Sequence, residues 1–568
     1  MESFPAESGG QRAPSLAEDP ALGLSHRAKL EILGAVLLAL FLGALDQTIV
    51  GTALPRIVTD LGGNEYYTWV VTIYLLTSTI TVPFYGKLSD LYGRKPMLMI
   101  GVTIFLVGSA LSGLSQNMAM LIFFRGVQGV GAGALFPIAL AVIGDLFTPA
   151  ERGRYQGLFG AVFGISFIIG PALGGLLTDN VSWHWIFYVN IPVGVVSLIV
   201  LARLLPTVKR AGATRNLDLP GAAVFTLAIS ALLVGLTNKQ SGDWADPSVG
   251  GLIAVAAILG AVFLAIEARA KEPIIPLGMF RNRTYAASIL STFLVSFGFF
   301  GAIIFLPRWF QFVHGSSATE SGYQIFPLLI GLIGSSIVSG ILVSRTGRYK
   351  VIILSGLVIM TVGLVLMTQL TATTDITTLW VWMFITGAGI GPTLSVFTIV
   401  VQNAVPFNQL GVATSNLTFF RQIGGSVGLA ITGTIFGSRL LSELPGQLTA
   451  AGVPQQAVSQ FTGAGTGALD NLVGVGGDLG AQILALVPAA VRPAVEPLVP
   501  AIVSGIHNAF TIGVTSAFQI GVVTTILAAG AALAMKEIPL RTTMGEAAAT
   551  PVAPAADAPR WTGSATTD

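Results

Sequence analysis

Two charged residues stand inside apolar stretches that are long enough to cross a membrane. Asp46 lies within residues 32–54, and Arg125 lies within residues 119–144. A charged side chain at the centre of a bilayer costs about 2.5–3.5 kcal/mol on insertion scales, so such residues are rare and usually functional. With the N-terminus inside, each residue lies roughly 10 Å from the outer end of its helix, at 1.5 Å per residue. We therefore expect an ion pair that protonation of Asp46 weakens, which is the chemistry of a proton relay. The alternative is a structural pair that only holds two helices together.

The composition indicates what surrounds this pair. Of the 568 residues 53% are apolar and 10% are charged, whereas soluble domains carry roughly 25% charged residues. Apolar runs of about twenty residues recur along the chain, and each is long enough to span the hydrocarbon core as a helix. The 68 glycines suit close helix contacts in lipid. We predict an all-α polytopic membrane protein that lies in the lipid bilayer.

Several kinds of chemistry have no support in the sequence. The chain has no cysteine, which excludes disulfides, thiolate metal sites and cysteine nucleophiles. The histidines form no HExxH motif, and Gly86-Lys87 is followed by Leu88, so the pair is not part of a phosphate-binding loop. We expect no metal, no cofactor, no nucleic-acid partner and no enzymatic activity.

Hydropathy predicts fourteen membrane-spanning helices. They lie near residues 31–54, 67–86, 97–115, 119–144, 154–177, 185–205, 218–237, 249–267, 285–308, 322–343, 351–370, 378–401, 415–438 and 513–535. With the N-terminus inside, 22 of the 29 lysines and arginines fall on the cytoplasmic side and five fall outside. This positive-inside bias predicts a multi-pass protein of the cell inner (cytoplasmic) membrane with both termini cytoplasmic.

An internal repeat divides the chain. The segment from Gly86 to Arg94 recurs from Gly340 to Arg348, an offset of 254 residues. This predicts two six-helix bundles with two inserted central helices, and a site between the bundles near mid-membrane. The predicted units are a disordered tail (1–29), an N-terminal half (30–206), a linker with two extra helices (207–283), a C-terminal half (284–540) and a second disordered tail (541–568). The second half has no counterpart of the charged pair, so we expect proton handling in the first.

Several motifs in order along the chain carry a resemblance to a known family. They are the loop motif with Gly86, Asp90, Gly93 and Arg94, the fourth-helix motif with Arg125, Gln128 and Gly129, and the fifth-helix motif with Gly164, Gly170, Pro171, Gly174 and Gly175. The first-helix stretch Leu45-Asp46-x-Thr48 and the later stretches Trp183 to Pro192 and Phe420 to Gly425 point the same way. The chain resembles the major facilitator superfamily, and within it the fourteen-span drug:proton antiporter family.

The resemblance implies a proton-coupled antiporter that exports amphipathic, cationic or neutral lipophilic compounds by alternating access, with small lipophilic substrates and protons as partners. It implies a cytoplasmic gate formed by the loop motif and its copy at Arg348, and an antiporter motif in the fifth helix that Pro171 bends. Candidate cavity residues are Trp69, Tyr74, Gln128, Phe299, Phe305 and Arg421. Arg421 either snorkels to the cytoplasmic surface or closes the inner vestibule.

One segment departs from the family pattern. Residues 441–508 are apolar with few charges, and they are expected on the outer side. They form a lipid-touching hairpin, a surface for a periplasmic or envelope partner, or a poorly ordered loop. Export of a lipid or envelope component is therefore an alternative function, and a non-transporting receptor or scaffold is another.

Overall fold

A computed structural model describes residues 24–62, 67–206, 218–239, 242–455, 458, 479–486 and 492–540. Thirteen helices in this part of the chain are long and apolar enough to cross a membrane, by length and composition. No strand occurs among the described residues. The predicted all-α polytopic architecture is confirmed. The predicted tails lie outside the described residues, apart from 24–29.

The α-helices are numbered in chain order. They are α1 His26–Leu61, α2 Tyr67–Tyr92, α3 Arg94–Gly113, α4 Met118–Leu146, α5 Pro149–Asn180, α6 Trp185–Tyr188, α7 Asn190–Leu204, α8 Leu219–Asn238, α9 Leu252–Glu267, α10 Arg283–Val313, α11 Ala318–Gln324, α12 Phe326–Thr346, α13 Tyr349–Met367, α14 Ile376–Ala404, α15 Leu410–Ala450, α16 Leu479–Leu486, α17 Arg492–Val495 and α18 Val499–Leu533. A π-helical turn, Pro247–Gly251, precedes α9.

One predicted span differs from the rest. The predicted span at 415–438 lies within α15, which has 41 residues and would extend about 62 Å. This helix is not among the thirteen apolar candidates. It contains polar residues, including Asn416, Arg421 and Gln422, that lower its mean hydropathy. It nevertheless packs along α2, α10 and α18 as a full member of the bundle.

The repeat is visible in how the two halves meet. At one seam α2 lies against α15, where a methyl group on Gly86 would lie 2.9 Å from the carbonyl oxygen of Gly411. At the other seam α12 lies against α5, where a methyl group on Gly340 would overlap the backbone of Gly153. Gly340 is the copy of Gly86, so each half presents the same glycine to the other. Both seams require glycine because the backbones are nearly in contact.

The inserted helices α8 and α9 cover one of these seams. A buried cluster joins Phe225 and Phe263 of the insert to Leu76 of α2 and Phe419 of α15. Lys87 of α2 and Glu272, which follows α9, form an ion pair at 2.6 Å. The insert therefore packs on the α2–α15 side of the molecule.

The described part of residues 441–508 extends the bundle. Its first residues continue α15 to Ala450, so the predicted boundary at 441 falls inside a helix. Ile483 of α16 and Ile502 and Ile506 of α18 are buried in the core of the second half. These isoleucines therefore pack on the protein's own core. The remaining residues of the segment lie outside the described part.

Candidate functional site

The two charged residues singled out from the sequence meet inside the first half. Arg125 Nη1 donates to Asp46 Oδ2 at 2.5 Å, and both side chains are buried. The same nitrogen donates to Gln128 Oε1 at 2.8 Å, and Gln128 Nε2 donates to Asp46 Oδ1 at 2.8 Å. The carboxylate is therefore held by two residues of α4. A buried ion pair is tolerated when further hydrogen bonds satisfy its remaining atoms, as they do here.

Two further residues complete this network. Asn190, at the start of α7, donates from Nδ2 to Asp46 Oδ1 at 3.3 Å and to Ser109 Oγ at 3.1 Å. Ser109 in turn donates to the backbone carbonyl of Phe187 at 2.8 Å. The sequence shows Asn190 within a family motif but gives it no role. Residues of α4 and α7 thus contact the carboxylate on α1, and Ser109 links α3 to the same network, so a change in the charge of Asp46 affects the contacts of four helices.

Tyr74 separates this ionic site from a cavity. Its ring centroid lies 4.2 Å from Cζ of Arg125, in cation–π geometry. Its hydroxyl donates to the carbonyl oxygen of Gly43 at 3.4 Å, which is a long and weak hydrogen bond. The same side chain lines the cavity between the halves, whereas Asp46 and Arg125 do not. Tyr74 therefore connects the cavity to the ionic site.

The cavity has a volume of about 140 Å³ and lies between the two halves. Residues of α1, α2, α4 and α5 line one side, and residues of α10, α12, α14 and α15 line the other. Six phenylalanines dominate the lining: Phe136, Phe159, Phe163, Phe167, Phe299 and Phe300. The only charged residue among the described lining is Arg421, and no carboxylate is present there.

The structure brings some of the predicted cavity residues together and leaves others apart. Tyr74, Phe299 and Arg421 line the cavity, and Gln128 lies behind it in the ionic network. Trp69 lies on an apolar groove between α2 and α4, away from this cavity. Phe305 is buried against Phe436, with ring centroids 5.3 Å apart. Aromatic residues in a membrane protein serve packing more often than binding, and sequence pattern does not separate the two roles.

The loop motif joins the two halves at the end of the bundle where α2 meets α3. Asp90 accepts from the backbone N–H of Gly411 at 3.1 Å and of Val412 at 2.8 Å, both in the first turn of α15. Arg94 bonds to Asp90 at 2.6 Å and to Asp145 at 2.9 Å. A carboxylate at a helix N-terminus satisfies free N–H groups and the helix dipole. Gly93, with φ of 98°, allows the turn that places Arg94 there.

The copy of this motif in the second half has no such charged contact. Arg348 is exposed at the start of α13. Ser344 takes the place of Asp90, and its buried hydroxyl has no hydrogen-bond partner among the described residues. A second polar contact between the halves comes from elsewhere: Gln156 Nε2 donates to Gln402 Oε1 at 2.9 Å.

The glycines of the fifth-helix motif fit α5 against two neighbours. A methyl group on Gly170 or Gly174 would collide with residues 48–52 of α1, and one on Gly164 would collide with Ile333 of α12. Thr48 also donates to the carbonyl oxygen of Ser166 at 3.0 Å. Pro171 lies inside α5, and Gly175 is half-buried beside it. The motif therefore places α5 between the Asp46 helix and the second half.

Comparison with known proteins agrees with this arrangement. The family model described as Major Facilitator Superfamily matches residues 36–429. The chain is 41% identical to the multidrug transporter protein MdtP of Bacillus subtilis (strain 168), over 73% of this chain and 77% of that one. It is 35% identical to multidrug resistance protein 3 of the same organism, over 91% of this chain and 96% of that one.

A solved structure shows the same fold. The crystal structure of the human organic anion transporter MFSD10 (TETRAN) superposes with a TM-score of 0.54 at 16% sequence identity, covering 72% of this chain and 94% of that one. At this identity the likeness concerns the fold alone. The family match covers most of the chain, and the seams and repeat of the structure agree with it. The chain therefore belongs to the major facilitator superfamily and is a membrane transporter.

Proposed function

We propose that this protein is a proton-coupled antiporter that exports lipophilic compounds through the cavity between its halves. The observation that carries the proposal is the buried Asp46–Arg125 pair, which lies directly behind the cavity wall. Two relatives that match most of this chain are named as multidrug transport or resistance proteins. A phenylalanine-rich cavity suits amphipathic substrates, since such sites are mostly apolar with few polar groups.

Proton coupling follows from the chemistry of Asp46. While it is charged, the carboxylate holds Arg125, Gln128 and Asn190 around it. Protonation removes its charge and weakens the attraction for the guanidinium, so the four helices that meet there gain freedom to rearrange. A site that favours different packings in its two charge states can couple proton entry to a conformational change.

Alternating access follows from the two seams. The halves are in contact through Asp90 and the α15 N-terminus and through Gln156 and Gln402, so the end where α2 meets α3 is closed. A cavity of about 140 Å³ is smaller than the roughly 300–1,000 Å³ of sites for drug-sized ligands. A large substrate therefore requires the halves to rock apart, as in other transporters built from two repeats.

The charge distribution supports an orientation. Lys87, Arg94, Lys95, Arg152 and Lys350 lie toward the closed end of the bundle or in the loops next to it. The positive-inside rule assigns this end to the cytoplasm and the termini with it. Substrate then enters from the cytoplasm or inner leaflet and leaves outside.

The test is transport by the full-length protein in sealed proteoliposomes. An imposed pH gradient, with no ATP, should drive accumulation of a lipophilic dye such as a neutral pyrene amide, and substrate addition should in turn collapse the gradient. Dye movement that ignores the gradient would contradict proton coupling. Movement of fluorescent phospholipid but of no dye would favour lipid export, and movement of neither would favour a receptor or scaffold.

A further inference from the structure

The central cavity contains a positive charge that the fold does not neutralise. Arg421 reaches the cavity from α15, and its Nη2 has no hydrogen-bond partner among the described residues. The ion pairs of the described chain do not include it. A guanidinium carries five donors and stays charged in proteins. An unpaired arginine beside a lipophilic cavity is costly, so its retention requires an explanation.

The surroundings of Arg421 hold it in place without neutralising it. Its Cζ lies 6.0 Å from the ring centroid of Phe136, which belongs to α4 in the opposite half. Phe136 itself packs edge-on against Phe159 and Phe163, at 6.0 and 5.4 Å between centroids. The charge therefore faces an aromatic wall across the boundary between the halves.

A second, small pocket adjoins Arg421. It has a volume of about 10 Å³, close to that of one water-sized sphere, and hydroxyls of Thr292, Ser296 and Thr393 line it. This pocket can solvate one edge of the guanidinium. The edge that lines the larger cavity lies among apolar side chains and can be satisfied by a ligand.

No acidic side chain in the described cavity lining offsets the charge of Arg421. No carboxylate is present in the described lining, and Asp46 is already paired behind Tyr74. Gln156 and Gln422 also line the cavity, and their buried amide oxygens have no hydrogen-bond partner among the described residues. They can accept from a hydroxyl or N–H group on a ligand. A cationic ligand would meet the repulsion of Arg421 with no acid to offset it.

We propose that the central cavity selects lipophilic aromatic anions, and that Arg421 pairs with the carboxylate, sulfonate or phenolate of the substrate. This inference deepens the proposed export function and rests on it, because it assigns a substrate class to the same cavity. The phenylalanines bind the aromatic body, and the guanidinium binds the charged group through two parallel N–H donors. Because Arg421 belongs to the second half and the phenylalanines around Phe136 to the first, such a ligand contacts both halves at once.

The test is binding of three pyrene probes to the purified full-length protein, followed by fluorescence anisotropy. The probes are 1-pyrenebutyrate, 1-pyrenebutylammonium and the neutral N-methyl amide of pyrenebutyric acid, which share one aromatic body and differ in charge. Wild-type protein should bind the butyrate about tenfold more tightly than the ammonium probe, as expected for a charge-assisted hydrogen bond. Arg421→Gln should reduce this preference to within about twofold.

Arg439→Gln is the matched control, because Arg439 lies on the same helix but is exposed. It should keep the wild-type preference, and Arg421→Lys should keep part of it. Equal or tighter binding of the ammonium probe by wild type would overturn the proposal, whether or not any variant folds. Retained preference in a folded Arg421→Gln protein would overturn it too. Proton-driven transport of the neutral probe, measured separately, tests the export function without reference to substrate charge.

Discussion

The ring of Tyr74 lies 4.2 Å from the guanidinium carbon of Arg125 while the same side chain forms part of the cavity wall. One residue thus contacts both the ion pair and the space where a substrate would bind. A ligand that presses on Tyr74 alters the position of Arg125, and a change in the ion pair alters the cavity. Such contact is what coupling between two sites requires.

Two replacements of Tyr74 test the roles of its ring and its hydroxyl separately. Tyr74→Leu removes a cation–π contact of about 0.5–2 kcal/mol, and we expect proton-driven transport to fall by about tenfold, while cavity binding weakens less. Tyr74→Phe should retain most activity, because the hydroxyl makes only a 3.4 Å bond to Gly43. Transport and probe binding, measured side by side, give the two effects. If the Leu variant transports at the wild-type rate, Tyr74 is not the connection.

The Asp90 contact predicts a gate that can be opened by mutation. Asp90→Ala removes two hydrogen bonds to the α15 N-terminus, so the closed conformation should lose stability. The chain has no cysteine, and a single Thr418→Cys substitution therefore reports access to the cavity. We expect an impermeant maleimide to label it several-fold faster from the α2–α3 end.

Asp375→Ala is the matched control for the gate. Asp375 accepts from Thr377 and Thr378 at the start of α14, so it also caps a helix, but within one half. Its replacement should cost about 0.5–2 kcal/mol of stability without faster labelling. Equal acceleration by both variants would show that lost capping, rather than lost contact between the halves, opens the cavity.

The second seam predicts a difference between two glycines of α12. A methyl group on Gly340 would overlap the backbone of Gly153, whereas one on Gly334 meets nothing within 4 Å. Gly340→Ala should force the seam apart, lower the melting temperature by several degrees and reduce transport. Gly334→Ala should leave both near wild type. Thermal unfolding of the two variants in detergent makes the comparison, and equal melting temperatures would contradict the packing described for this seam.

A pH effect is expected at the segment before α6, outside the membrane-spanning helices. His184 stacks on Trp183 with ring centroids 3.7 Å apart. Burial lowers the pKa of His184 below 6.5, and the charge of Asp60 opposes this shift. Between the two pKa values the unfolded segment binds more protons than the folded one, so stability is lost as the pH falls below about 6.5.

Hydrogen exchange measures this effect locally. Exchange in the segment around Trp183 and His184 should accelerate between about pH 7.5 and 5.5 once the intrinsic pH dependence is subtracted. His184→Gln should remove the acceleration, since it cannot titrate in this range. Acceleration that persists in the Gln variant would assign the effect to another group.

Much of this molecule could be predicted from the sequence because lipid imposes strong constraints. Apolar run length predicts the helices, and the rarity of intramembrane charge identifies Asp46 and Arg125. The repeat predicts that Gly86 and Gly340 stand in equivalent positions, which the two seams confirm.

Other features depend on three-dimensional packing. Asn190 approaches Asp46 from 144 residues away, and the motif that contains Asn190 does not indicate this contact. Trp69 and Phe305 are aromatic, as cavity residues often are, but they lie elsewhere. The rotation of each helix about its own axis decides which side chains face the cavity, and the sequence does not give that rotation. The position of Arg421 in its span would allow its side chain to snorkel to the cytoplasmic surface, but in the structure it lines the central cavity. The apolar run at 415–438 is visible in the sequence, but the extension of α15 to Ala450 is not.

The central claim is that Asp46 carries the coupled proton and does not only hold Arg125 in place. Asp46→Asn leaves a buried arginine without its acid, which costs about 3–5 kcal/mol. A double variant, Asp46→Asn with Arg125→Gln, removes both charges, so its stability should return toward wild type. The two roles can therefore be measured apart.

The most direct measurement compares two modes of transport by the double variant in proteoliposomes. Substrate exchange with no pH gradient should persist, because it requires only the cavity and the moving halves. Accumulation driven by a pH gradient should fall to background, because no titrating group remains at the site. A double variant that still accumulates substrate against its gradient at the wild-type rate would contradict the assignment of Asp46 as the coupled proton site.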